Sequence, residues 1–169
     1  MLLLAVLAGC GLGGPQASRP VGSGPAARPA AASGIQSGAA GVLELDGLGP
    51  EGAVAVIRSY YRAIDEGDYR QAYVLWENEG AASGQSYREF AAGFADTASV
   101  MVEIGVPGRI EGAAGSRYID IPVVVEARTG GGSRQRFEGS YVLRRVVVDG
   151  ATEEQRHWHL YAAELTQTQ

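Results

Sequence analysis

From Gly11 to Pro50 the chain reads GLGGPQASRPVGSGPAARPAAASGIQSGAAGVLELDGLGP, about 40 residues without one aromatic ring. Gly, Ala, Pro and Ser bury too little apolar surface to offset the entropy of ordering them. This stretch is therefore expected to be a disordered tether, and whatever folds must lie beyond it. All eight tyrosines, both tryptophans and all three phenylalanines do lie beyond it. The 169-residue chain thus divides into a leader over residues 1–9, a tether over 10–50 and one domain of about 120 residues over 51–169.

Charge removes one class of function. The net charge is -5 and the pI about 5.0, and no basic cluster supplies the cationic surface that a phosphate backbone requires. Nucleic acid is not an expected partner. All 14 basic residues are arginine, a bias that fits a GC-rich genome. Arg19 and Arg28, the two in the tether, are too few for a polybasic lipid-binding tract.

The start of the chain, MLLLAVLAGCGLGGP, holds the sole cysteine, Cys10. A lone cysteine forms no internal disulfide, and the apolar run Leu2 to Ala8 is far shorter than the roughly 20 residues of a membrane-spanning helix. An apolar run, small residues and a cleavage point make a secretory signal. Leu7-Ala8-Gly9-Cys10 resembles a bacterial lipobox, although Met1-Leu2-Leu3-Leu4 lacks the positive charge that normally opens such a signal. The resemblance implies removal of residues 1–9 and lipidation of Cys10 with palmitate-type acyl chains, each buried methylene contributing about 0.8 kcal/mol of membrane affinity. Gly11 in place of Asp points to the outer membrane, facing the periplasm. The competing reading, a small buried cysteine in a helix, meets Gly11, Gly13 and Gly14, which break helices. A random-coil tether from Gly11 to Gly49 reaches about 35 Å.

Beyond the tether, Val54, Ile57, Tyr61 and Ile64 recur at helical spacing after Pro50, and Glu66-Gly67-Asp68 breaks the pattern. Asp68 is placed to cap a second helix, Tyr69 to Trp76, that buries Ala72, Tyr73 and Trp76. Ser86 and Glu89 have capping-box spacing for a third, Tyr87 to about Ala95, with Phe90 and Phe94 on one side. The period then changes to that of strands in VMVEIGV, RYIDIPVVVEA, RQRFEGSYVLRRVVV and HWHLYAAEL, with TGGGS at 129–133 as a hairpin turn and a weak strand near Arg109 to Glu111. Three helices followed by an antiparallel sheet predict an α+β fold with helices on one face.

IRSYYRAIDEGDYRQAYVLW resembles the opening helices of the NTF2-like superfamily, which includes SnoaL-like proteins and ketosteroid isomerases, and WHLYAAEL resembles its last strand. The resemblance covers about 115 residues and rests on pattern and element order. It implies a cone with a pocket between the helices and a concave sheet. Enzymes of that superfamily place an acid or base inside the cone, as ketosteroid isomerase does with its aspartate.

Strand alternation sorts side chains by face. Ile119, Ile121, Val123 and Val125 form one apolar row, Phe137, Gly139, Tyr141 and Leu143 a second, and Val100, Val102, Ile104 and Val106 a third. Asp120, Glu126, Glu138 and Glu103 then face away from the core. In the last strand Trp158, Leu160 and Ala162 point inward unless a bulge reverses part of the row. His157 and His159 share a face, but no cysteine or carboxylate converges on them to complete a metal site. Asp65, one turn from Tyr61, and His159 are the candidate catalytic groups. Tyr61, Tyr73, Trp76, Phe94, Tyr141 and Trp158 are the candidate ligand-binding residues, with Tyr60 also able to line the cone. No phosphate loop, nucleophile elbow or zinc spacing occurs, and no cofactor is expected. The favoured function is an envelope lipoprotein whose domain binds a small apolar ligand or a protein partner without catalysis, or assembles as a homodimer. The alternative is an isomerase, dehydratase or hydrolase on the same fold.

Overall fold

The computed structural model describes residues 47–168. The leader, Cys10 and nearly all of the tether lie outside the described residues. Helix α1 runs Pro50–Asp65, α2 Tyr69–Val74 and α3 Tyr87–Gly93, with a 3-10 turn at Ala81–Ser83. Strands β1 (Thr97–Ile104), β2 (Glu111–Ala113), β3 (Ser116–Thr129) and β4 (Arg134–Val146) follow, then a short helix α4 (Glu153–Arg156) and β5 (His159–Thr168). The sheet is antiparallel in the order β1-β3-β4-β5, and β2 prolongs the β1 edge by pairing with the start of β3.

The helix starts follow local chemistry. Pro50 occupies the first turn of α1, where its missing N–H removes no bond. The Asp68 carboxylate accepts from Gln71 N at 3.0 Å, and Ser86 and Glu89 close a capping box around α3. The inward stripe of α1 is Ala53, Ile57, Tyr60, Tyr61, Ala63 and Ile64; Val54 is only half-buried. Helix α2 ends two residues before Trp76, because the chain turns there into a parallel bridge between Trp76 and Leu160. Leu160 N donates to Leu75 O and Glu77 N donates to Leu160 O, both at 2.9 Å, so sheet pairing ends this helix.

The β3 and β4 rows alternate as their sequences predict. Ile119, Ile121, Val123, Val125, Phe137, Tyr141 and Leu143 are buried against the helices. Outside, Arg136 pairs with Glu126 at 2.9 Å and Glu138 at 3.0 Å, and Ser140 donates to Asp120 at 2.7 Å. The TGGGS turn closes through Thr129 N to Ser133 O. Three strand expectations are corrected. Val106 is 85% exposed, since β1 ends at Ile104. The weak strand forms two residues later, at Glu111–Ala113. Val147 and Val148 lie past the end of β4 and are exposed.

In β5 the partner of Val142 is Ala162 and that of Leu143 is Leu160, which leaves Tyr161 as an extra residue. This bulge switches the inward row from Leu160 to Ala163 and Leu165 and places Ala162 on the Val142 face. Close approach is required beside it. A Cβ on Gly139 would overlap the carbonyl oxygen of Glu164 and lie 2.9 Å from its carbon.

Candidate functional site

The helix-facing interior is built around Tyr60, which α1 delivers together with Tyr61. Its ring centroid lies 5.0 Å from Tyr61, 6.0 Å from Tyr141, 6.1 Å from Trp76 and 6.3 Å from Phe90, mostly edge to face. Trp76 and Tyr141 are also 6.1 Å apart. Such pairs contribute about 0.5–1.5 kcal/mol each beyond their burial. Tyr61 and Tyr141, 80 residues apart in sequence, share a buried hydroxyl–hydroxyl bond of 2.7 Å. The indole N–H of Trp76 is buried beside them with no acceptor at bonding geometry.

Burial pushes the Tyr60, Tyr61 and Tyr141 phenols well above their ordinary value of 10.0, and the charge a neighbouring phenolate would carry adds to the shift. All three therefore stay protonated across physiological pH. They can donate hydrogen bonds but cannot act as bases.

The six predicted ligand residues divide into three places. Tyr61, Trp76 and Tyr141 meet in the cluster just described. Tyr73 and Phe94 belong to a second aromatic group on the α2–α3 side, joined through Phe90 at 5.3 and 5.1 Å. Tyr73 donates to Gln85 O at 2.8 Å; its ring lies against Gly80, where a Cβ would overlap it. Trp158 sits apart, donating its indole N–H to Gly49 O at 3.1 Å, with the Arg145 guanidinium 5.3 Å over its ring.

The candidate acid and base groups lie outside this interior. Asp65 is exposed, and its Oδ1 accepts from Val100 N at 2.8 Å. It fastens the end of α1 to the start of β1 and does not pair with Tyr61, whose hydroxyl is taken by Tyr141. His157 is exposed ahead of β5, and half-buried His159 donates Nδ1–H to the His157 carbonyl at 3.2 Å. Among the described residues no group of three His, Cys, Asp or Glu is arranged to hold a metal.

Sequence reasoning missed the surroundings of His159. It lies in register opposite Arg144, whose guanidinium pairs with largely buried Glu77, accepts cover from the Tyr118 and Tyr161 rings at 5.9 Å each, and donates to Ser116 at 3.0 Å. Asn78 and Glu79, which follow Glu77, both take left-handed backbone conformations at φ 56°. No local pattern pairs residues 67 positions apart, so the Glu77–Arg144 contact carries no sequence signal.

No protein-family model matches the chain, and no curated protein is similar to it. Solved structures are similar in fold. A protein of Novosphingobium aromaticivorans provisionally named a scytalone dehydratase is 14% identical, with 70% of this chain and 84% of that chain covered at a TM-score of 0.50. A provisionally named dehydratase of the NTF2-like family from Streptomyces avermitilis gives 14%, 70%, 95% and 0.50. A second Novosphingobium aromaticivorans protein, provisionally named an aromatic ring hydroxylase, gives 16%, 69%, 91% and 0.50. Helices packed on a curved antiparallel sheet, in the same arrangement as these chains, make the described domain an α+β cone of the NTF2-like fold.

Proposed function

We propose that this domain is a non-catalytic binding module, held at the bacterial envelope by a lipid on Cys10 and recognising a partner with its outer surface. The observation that carries the reading is the chemistry of the interior. The ionisable groups gathered there are three phenols held in their neutral form, while Asp65, Asp120, Glu126 and Glu138 are exposed. Because the rings of Tyr60, Tyr61, Trp76 and Tyr141 pack on one another, they favour an envelope protein or another surface partner over a small apolar guest within the cone. In this reading the anchor is Cys10; no helix among the described residues is long and apolar enough to cross a membrane.

A second reading, an enzyme of the dehydratase type, is favoured by the names of the fold neighbours. It requires a base acting beside phenol donors. Native mass spectrometry of the chain released from envelopes in mild detergent separates the two. The expected species is the diacyl or triacyl chain bound to a protein partner, absent when Cys10→Ala prevents fatty-acid labelling and membrane retention. Turnover of hydroxylated ring substrates that Tyr61→Phe and Tyr141→Phe abolish, with the fold retained, would overturn the module reading.

A further inference from the structure

Strand β1 is one edge of the sheet: β3 pairs with one side of it, and among the described residues no strand pairs with the other. In an antiparallel ladder, successive residues turn their N–H and C=O alternately toward the partner strand and away from it. Gly105 N donates to Pro122 O of β3 at 2.8 Å, so Met101, Glu103 and Gly105 bond to β3, while Val100, Val102 and Ile104 offer their backbone groups outward. Val100 shows the same phase, because its N–H is held by Asp65 Oδ1 at 2.8 Å. Beyond Ile104 the edge is blunted. Gly108 N donates to Asp120 O at 2.8 Å, which sets Val106 and Pro107 against the single residue Ile121, a bulge with a proline in it, the kind of device that keeps strand edges from pairing. Between these two guards, the outward groups of Val102 and Ile104 make no hydrogen bond among the described residues. Beside them on the outer face, Met101 is 70% exposed, and Glu103 is exposed with no ion pair among the described residues.

We propose that Val102 and Ile104 receive an extended segment of another protein, which adds to β1 as a strand and sets a basic side chain opposite Glu103. An added strand satisfies the free N–H and C=O groups with its own backbone, and its alternate side chains carry the choice of partner. Charge decides which segment fits. A second copy of this chain is disfavoured in each two-fold register. Pairing Val102 with Ile104 of the copy puts Glu103 opposite Glu103, and like charges directly opposed destabilise a pair. Centring the pair on Val102 brings Ile104 against Val100, whose N–H Asp65 already holds. Centring it on Ile104 brings Val102 against the bulge at Val106. A foreign segment with Arg or Lys at the facing position instead meets Glu103 as an opposite charge, and an apolar residue two places along covers Met101. This deepens the module reading, on which it rests for the partner being a protein, by naming the surface used.

The probe is the peptide acetyl-TVRVI-amide, which in antiparallel pairing sets its arginine opposite Glu103 and its isoleucine opposite Met101. It is titrated into the purified, nitrogen-15-labelled full chain, and the amide resonances of Val102 and Ile104 are followed. Both are expected to shift saturably and to exchange more slowly with solvent, and acetyl-TVEVI-amide binds about threefold more weakly. Glu103→Arg reverses that preference. Val102→Pro removes an N–H that β3 does not use and weakens binding about fivefold. N-methylation of the peptide's two valines, whose N–H groups face β1, abolishes binding without altering the protein, whereas N-methylation of its arginine leaves binding in place; this arm decides the matter even where Val102→Pro does not fold. No saturable shift at Val102 and Ile104, equal affinity for the two peptides, or binding that survives methylation of the valines overturns the proposal. So does concentration-dependent sedimentation that Val102→Pro removes, which would make a second copy the occupant. None of these readouts uses the lipid or an envelope extract, so failure here is distinct from failure of the module reading, which native mass spectrometry decides.

Discussion

Raising the pH past 10 tests the closed interior directly. Tyr60, Tyr61 and Tyr141 are 3%, 5% and 2% exposed, and burial holds each phenol protonated well above 10.0 in the folded state. The unfolded chain releases the same protons near pH 10. Above that pH the unfolded state binds fewer protons than the native one, so stability falls as pH rises. The stabilisation is complete below pH 10 and is lost progressively toward the raised folded values. Each phenol contributes a slope of about 1.4 kcal/mol per pH unit, and three together about 4 kcal/mol. A domain with an ordinary stability of about 5–10 kcal/mol then unfolds between about pH 11 and 12.5. The assay follows tyrosinate absorbance and far-ultraviolet circular dichroism on the same samples. A late component equal to three tyrosines is expected to appear together with the loss of dichroism, and Tyr61→Phe with Tyr141→Phe removes about two thirds of the slope. Complete ionisation of all eight tyrosines in a chain that keeps its native dichroism would refute the argument, because it would mean that water and hydroxide reach the cluster.

Gly139→Ala forces a Cβ into the Glu164 carbonyl; separating β4 from β5 there costs about 2–4 kcal/mol and lowers the thermal midpoint by about 10 °C. Tyr61→Phe and Tyr141→Phe each strand the other hydroxyl of a 2.7 Å bond, for about 1–2 kcal/mol singly, and urea denaturation of the double variant should give less than the sum. Ser86→Ala removes one half of the α3 capping box, costing about 1 kcal/mol and speeding amide exchange in that helix. Asp65→Ala leaves Val100 N–H without its acceptor, about 1 kcal/mol by urea denaturation, whereas Asp65→Asn retains an acceptor and costs less.

What the sequence made legible is what local physics decides. Alternation in Ile119 to Val125 set the faces of β3, and Asp68, Ser86 and the glycines after Thr129 fixed where helices and the hairpin begin and turn, because each acts on backbone atoms a few residues away. The Tyr161 bulge was not legible: whether β5 holds one register or two depends on what β4 offers across the sheet, above all the bare backbone at Gly139. The aromatic residues were identifiable as interior, but not their grouping. Tyr61 and Tyr141 look no different in sequence from Tyr73, and only the packing of α1 across the sheet brings two of them together and sends the third to α3.

The bond from the Trp158 indole to Gly49 has a mechanical meaning. It joins the residue that caps α1 to the residue that precedes β5, so the first and last elements of the domain share one fastening. A pull on the chain ahead of Gly49 is carried into α1 and, through the indole, to the head of β5, an edge strand that pairs with β4 over nearly its whole length. Force then bears on a whole ladder of hydrogen bonds at once. Tension on the chain ahead of Gly49 would therefore load α1 and the head of β5 together and not α1 alone.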